Sequence, residues 1–157
     1  MDGSSHERTY TAMAITPYLY YRDVDRAMAF LSKAFGFEPF GVKMRGKDGK
    51  TNHAAMKLGA GLIMMGRPAF AYRNPKALGQ ATQCLYVSIA NADEHFKRAK
   101  RAGAAVLEEP KDTEYGHRRY GASDPEGHQW YFAHTLRRRR AAVAVARPGT
   151  GTGGRTA

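Results

Sequence analysis

The 157-residue sequence predicts an α+β fold built from two tandem βαβββ modules. Three observations predict it. The order strand, helix, three extended segments occurs twice. Each helix-patterned segment runs into a glycine, Gly36 and then Gly103. The two copies also keep step: Leu19-Tyr20 and Leu85-Tyr86 are 66 positions apart, and Asp25 and Asp93 are 68 apart. Both spacings are even, so the same strand face stays inward in either register.

The first copy opens with Ile15–Arg22 (ITPYLYYR) as a strand. Arg26–Phe35 follows as a helix, with Ala27, Phe30, Leu31 and Ala34 at three-to-four spacing, and Gly36 stops it as a left-handed cap. Extended segments are expected at Phe37–Met44, Thr51–Leu58 and Leu62–Met65, with turns at 45–50 and 59–61. A linker, residues 67–81, carries Phe70 and Tyr72 as candidates for a lid or a dimer contact. The second copy begins with the strand Thr82–Ala90. Asn91 is a helix N-cap, Ala92–Ala102 the helix, and Gly103 its stop. Extended segments follow at Ala104–Glu109, His117–Ser123 and His128–His134. Asp124-Pro125-Glu126-Gly127 makes the tight turn between the last two.

The domain reading is a flexible N-terminus at 1–13, a first module at 14–66, a linker at 67–81, a second module at 82–135, and a basic, largely disordered tail at 136–157. The net charge is +11, but the tail holds six arginines and no acid, leaving +5 on residues 1–135. Arg137–Arg140 reads as a solvated run. No aromatics interleave with it as single-strand binding requires, so nucleic acid is not an expected partner. The single Cys84 leaves no intramolecular disulfide to form. The start carries no apolar run suited to a secretory signal, and Ala141–Ala146 is far short of the ~20 residues that span a bilayer. The expectation is a cytoplasmic protein with no membrane partner.

The segments TPYLYYRDVDRAMAFLSKAFGF, HAAMKLGAGLIMMG, LYVSIANADEHFKRAKRAGA and YGHRRYGASDPEGHQWYFA closely resemble the vicinal-oxygen-chelate superfamily, the glyoxalase/bleomycin-resistance proteins, and within it a PhnB-like branch. The resemblance covers residues 14–135. It implies a curled, cup-shaped mixed sheet, ligands held in the cup, and subunits that pair as homodimers. It also implies three positions for metal ligands in metal-using members. Here these fall on Thr16 and Cys84, where histidine is usual, and on Tyr131, where glutamate is usual. Hydroxyls are poor ligands at neutral pH, and a lone thiol favours soft metals and needs partners. The first strand has no histidine or carboxylate that a register slip could bring in. The expected cofactor is therefore none, with a divalent metal ion as the alternative.

Strand alternation names the other candidates. Tyr18 and Tyr20 share a face with Thr16; Tyr86 and Ser88 with Cys84; Gln129 and Ala133 with Tyr131. These tyrosines either line a cup for a partly planar, polar ligand or fill it as core. His53 precedes an apolar strand and can face the cup, and a cryptic site joining it to His117 or His134 stays open. His128, beside the turn, reads as structural. Trp130, of opposite parity, reads as core. Arg118 and Arg119 point to opposite faces; Arg118 is the candidate for an anionic ligand, with a salt bridge to Glu108, Glu109 or Asp112 as the alternative. The candidate ligand-binding set is Thr16, Tyr18, Tyr20, His53, Cys84, Tyr86, Arg118, Gln129 and Tyr131, with no catalytic residue. The leading function is metal-independent binding of a drug or metabolite, resistance by sequestration. Because the body is basic, a neutral or anionic ligand fits better than a cationic one. The alternatives are a divalent-metal-dependent glyoxalase-like lyase or isomerase, a thiol transferase, or a nucleic-acid-associated factor acting through Arg137–Arg140.

Overall fold

The computed structural model describes residues 15–137. The expected flexible N-terminus, 1–13, and the tail beyond Arg137 lie outside the described residues. The elements are β1 (Tyr18–Tyr20), α1 (Val24–Phe30), a π-helical turn (Leu31–Phe35), β2 (Glu38–Arg45), β3 (Thr51–Leu58), β4 (Gly61–Gly66), α2 (Pro75–Leu78), β5 (Cys84–Ser88), α3 (Ala92–Arg101), β6 (Ala105–Asp112), β7 (His117–Ser123) and β8 (Gln129–Thr135). They form two four-stranded sheets of the same order, β1-β4-β3-β2 and β5-β8-β7-β6. In each, the first strand runs parallel to the fourth and the other pairs are antiparallel.

Local chemistry accounts for the helix ends. The Asp23 carboxylate accepts from the Arg26 N–H and starts α1 at Val24, two residues before the expected Arg26, because a cap needs only one side-chain acceptor on the first turn. Asn91 caps α3 through the N–H groups of Asp93 and Glu94. Gly36 ends the first helix at φ 80°, where a side chain would be strained. The linker, expected to be loop throughout, contains one short helix. Asn74 caps it, and Pro75 takes the first helical position, where a missing N–H costs nothing.

One core joins the two modules. Leu19, Tyr21, Phe35, Met56 and Met65 from the first pack with Tyr120, Trp130 and Phe132 from the second, all buried. The Phe35 ring lies 4.7 Å from Phe132 and 5.7 Å from Trp130. Trp130 is thus core, in line with its parity.

Polar groups also cross the seam. Arg98 of α3 donates to the carbonyls of Ser32 (2.7 Å) and Lys33 (2.9 Å), and His95 Nε2 donates to the carbonyl of Phe35 (2.9 Å). The Lys33 and Phe35 carbonyls lie in the last turn of the first module's helix, where partners within the helix run out, and the Ser32 carbonyl also accepts from the Gly36 N–H at 3.2 Å. At its other end the Glu126 carboxylate accepts from the N–H groups of Arg22 and Asp23, both at 2.9 Å. His128 is structural, but its ring donates to the Tyr20 carbonyl of the other module rather than to its own turn. The turn meets the linker closely. Gly127 sits at φ 90°, and a Cβ there would lie 2.5 Å from the Lys76 backbone nitrogen.

His95 also accepts from the Tyr120 hydroxyl at 2.6 Å, so its neutral tautomer satisfies both neighbours. Burial holds its pKa below the usual 6.5. A depressed value stabilises the fold above the unfolded pKa and loses that contribution as pH falls through it. Urea midpoints are expected to drop between pH 7 and pH 5, and to drop less in His95→Gln. Equal slopes in both proteins would contradict this role.

Candidate functional site

Each sheet has one face against the core and one turned away. On β1, Leu19 is buried while Tyr18 and Tyr20 are 48% and 41% exposed. On β5, Leu85 and Val87 turn inward while Cys84, Tyr86 and Ser88 face out. The alternation places the predicted tyrosines on these outer faces, where a ligand can reach them.

The outer face of the first sheet is aromatic. The Tyr18 hydroxyl meets His53 Nδ1 at 3.0 Å, and the two rings stack at 5.6 Å. Tyr20 stands edge-on to Phe70 (5.5 Å) and Tyr72 (5.8 Å) of the linker, and the Tyr72 hydroxyl donates to the Tyr20 carbonyl at 2.9 Å. Partial burial, then the nearby Tyr20, raises the Tyr18 pKa. Gly66 of β4 lies under the Tyr18–His53 pair, and a Cβ there would overlap the Tyr18 hydroxyl. Gly66→Ala is therefore expected to break this hydrogen bond. The expected stability cost is small, about 1 kcal/mol, because Tyr18 can swing into solvent. Loss of the Tyr18–His53 contact in a crystal structure, or a changed His53 ring shift by NMR, checks it.

The outer face of the second sheet repeats the pair and adds charge. The Tyr86 hydroxyl meets His117 Nδ1 at 2.9 Å. Tyr115, in the turn before β7, stands edge-on to the His117 ring at 5.2 Å. Arg119 makes a two-point ion pair with Glu108 (2.9 and 3.1 Å) and donates to the Tyr115 hydroxyl at 3.0 Å. The same guanidinium lies 5.0 Å above the Tyr131 ring. Tyr131 in turn lies over Gly121, where a Cβ would sit 2.7 Å from its ring. Arg119 hydrogen bonds hold the Glu108 carboxyl below the usual carboxylate range. Burial first, then the hydrogen bond with Tyr115, pushes Tyr86 up to about 12, whereas Tyr86 and Arg119 draw Tyr115 down.

Arg118 turns to the opposite face, bonded to Asp93 (2.7 and 2.9 Å) and Asp112 (2.8 Å), so Arg119 is the arginine beside the tyrosines. Thr16 is half-buried just before β1. Cys84, a free exposed thiol, is in register with half-buried Gln129, as Tyr86 is with Tyr131. Cys84 and Tyr86 also border an apolar groove of about 1120 Å³ between the modules, walled by Phe37, Leu62, Leu85 and Val87. His53 and His117 lie on different sheets, each engaged by its own tyrosine, and His134 accepts from the Ala92 N–H at the start of α3. Tyr115 and Arg119 join the predicted residues on the second face. Arg119 shares the parity of Tyr131 through the β7–β8 register, a signal the alternation of strands contains. The reach of Tyr115 from a turn has no sequence signal.

The donors at the three family positions, a threonine hydroxyl, a thiol and a phenol, do not suit a divalent metal. Tyr131 moreover sits beneath a guanidinium cation. Among the described residues, no group of three or more His, Cys, Asp or Glu side chains could hold a metal ion. No helix among them is long and apolar enough to cross a membrane.

The geometry agrees with what the chain is similar to. An uncharacterized protein of Mycobacterium bovis is 30% identical over 129 residues, covering 79% of this chain and 84% of its own. The crystal structure of TioX from Micromonospora sp. ML1 is 33% identical and covers 78% of this chain and 98% of that one, with a TM-score of 0.65. A glyoxalase-related enzyme from Clostridium phytofermentans shares the fold at 14% identity and a TM-score of 0.63, covering 83% of this chain and 100% of that one. The model of the Glyoxalase/Bleomycin resistance protein/Dioxygenase superfamily matches residues 11–132, and the chain belongs to that family.

Proposed function

We propose that the protein binds a small organic molecule, a drug or a metabolite, on the outer faces of its two sheets without a metal, and acts in the cytoplasm by sequestering it. The observation that carries this reading is the repeated tyrosine–histidine pair, Tyr18 with His53 and Tyr86 with His117. Two flat, amphipathic surfaces with hydroxyls and imidazoles suit a planar ligand with polar edges. The first face supplies aromatic area and the second supplies Arg119, so a ligand with an apolar ring system and a neutral or anionic polar end matches both.

Each face is open on one chain. A homodimer that sets the first sheet of one subunit against the second sheet of its partner would enclose two equivalent cups. Three measurements test the reading together. Light scattering should give twice the 17.3-kDa chain mass. Elemental analysis of undialysed protein should give far less than one metal per chain. A thermal-shift screen of planar aromatic acids and phenols should find ligands whose shift is lost in the Tyr18→Phe/Tyr86→Phe double variant. Near-stoichiometric metal would overturn the metal-free reading and bring forward a lyase or isomerase.

A further inference from the structure

The two modules differ in what covers the inner face of their first strand. In the first module Leu19 is buried, and Tyr21 is fully buried with its hydroxyl on the Asp124 carboxylate at 2.7 Å. The equivalent positions in the second module, 66 residues on, are Leu85 and Val87, and both are only half-buried. Two differences leave them so. Valine stands where the first module has a tyrosine. The tip of the β3–β4 hairpin borders the space with Gly59-Ala60-Gly61, whose side chains fill little of it. The result is the groove of about 1120 Å³ between the modules, far above the ~300 Å³ at which ligand pockets begin.

One face of α3 makes the polar side of this groove, through Asn91, Glu94, His95 and Arg98. His95 has both ring nitrogens engaged, by Tyr120 and the Phe35 carbonyl, and Glu94 is paired with Lys97 at 2.8 Å. Arg98 differs from both. Its guanidinium donates to the backbone carbonyls of Ser32 and Lys33 and meets no carboxylate among the described residues. A guanidinium has five N–H groups, so three remain. Nη1 makes neither of the two bonds, and Gly36 leaves it uncovered: a Cβ there would lie 2.8 Å from it.

We infer that this groove is a second binding site, separate from the outer sheet faces, and that it takes an aliphatic carboxylic acid. The alkyl chain lies along Phe37, Ile63, Leu85 and Val87, and the carboxylate takes the free N–H groups of Arg98. Charge complementarity selects an anion: Glu94 and Lys97 cancel, His95 is neutral, and Arg98 is the cation left over. A carboxylate on a guanidinium is a charge-assisted pair, and the chain gains in proportion to the apolar area it takes out of water. A flexible chain follows a groove walled by aliphatic side chains, whereas the aromatic outer faces suit planar rings. The inference does not rest on the sheet-face reading, because Leu85 and Val87 turn inward from β5 while Tyr86 turns outward.

Two measurements on the full chain test it. The first is isothermal titration with decanoate and with decylammonium, which share an alkyl chain and differ in charge. Decanoate should bind at one site per chain, at least about tenfold tighter than decylammonium. Val87→Tyr, which copies the first module, should fill the groove and weaken decanoate by at least about tenfold. Arg98→Met should keep the alkyl contacts and lose the preference for the anion. Lys47→Ala, an exposed lysine in the β2–β3 turn, should match the wild type, which separates a local pair from net charge. The second is NMR of the complex, where the decanoate methylenes should give nuclear Overhauser contacts to the methyls of Ile63, Leu85 and Val87. These contacts decide the matter on the wild type alone if Val87→Tyr does not fold. No binding of decanoate, equal affinity for the two probes, undiminished binding in a folded Val87→Tyr, or contacts only to the Tyr18 and Tyr86 rings overturns the inference. The sheet-face reading fails separately, when no planar ligand shows a thermal shift that Tyr18→Phe/Tyr86→Phe removes.

Discussion

Asp124→Ala is expected to destabilise the protein by at least about 3 kcal/mol, more than any other single change outside the apolar core. The Asp124 carboxylate is buried and accepts four hydrogen bonds: from the Tyr21 hydroxyl (2.7 Å), Trp130 Nε1 (3.2 Å), and the N–H groups of Glu126 (3.0 Å) and His128 (3.1 Å). Alanine leaves all four donors without an acceptor, two of them on fully buried aromatic side chains. Each stranded donor costs about 1–3 kcal/mol before relaxation or water entry. For a chain of this size the loss corresponds to a fall of roughly 6–12 °C in Tm. Asp124→Asn separates the effects. Its oxygen keeps the two backbone donors, but its amide group meets the Trp130 N–H donor to donor, so an intermediate loss is expected. Thermal unfolding of the three proteins checks the order. An alanine variant within 1 °C of wild type would remove Asp124 as the hub of the seam.

Phe35→Ala carries the second large effect, about 3–5 kcal/mol for emptying a fully buried aromatic site. Its ring touches Trp130, Phe132 and His95 of the second module and Phe30 of its own. The cavity would open at the centre of the shared core, not inside either module. Urea unfolding should therefore remain a single transition at a lower midpoint, with fluorescence of Trp130 and far-ultraviolet dichroism moving together. Two separated transitions in the variant, with the second module's midpoint unmoved, would mean that the modules are independent domains.

Much of this architecture is legible in the chain. Thr51–Leu58 and His117–Ser123 are strands with the expected bounds, because turn residues flank a pleated pattern on both sides. The same holds for the Asp124–Gly127 turn and for Gly36, whose positive φ values only glycine adopts freely. Strand parity puts Tyr18, Tyr20 and Tyr86 on the outer faces and Trp130 inside. Other features are not legible because they depend on contacts with residues far along the chain, 60 or more positions away for His95 and Arg98 and 25 for Arg118. Nothing around Arg98 or His95 says that they will complete a helix that ends at Phe35, and on α3 they read as ordinary polar surface. Alternation together with the β7–β8 register puts Arg119 on the Tyr131 face, but it does not say that Arg118 will meet aspartates on the other face. That depends on Asp93 lying on the helix side of the sheet.

The closure of the first helix by groups of the second module has a consequence for biosynthesis. Its Phe35 and Lys33 carbonyls wait for His95 and Arg98, and the N–H groups of Arg22 and Asp23 at its entry wait for Glu126. A chain emerging from a ribosome cannot supply Glu126 until its last hairpin is being made. The first module therefore stays unfinished until that hairpin has been made, with its helix face uncovered, and the shared core closes only once the last strand of the second sheet has formed.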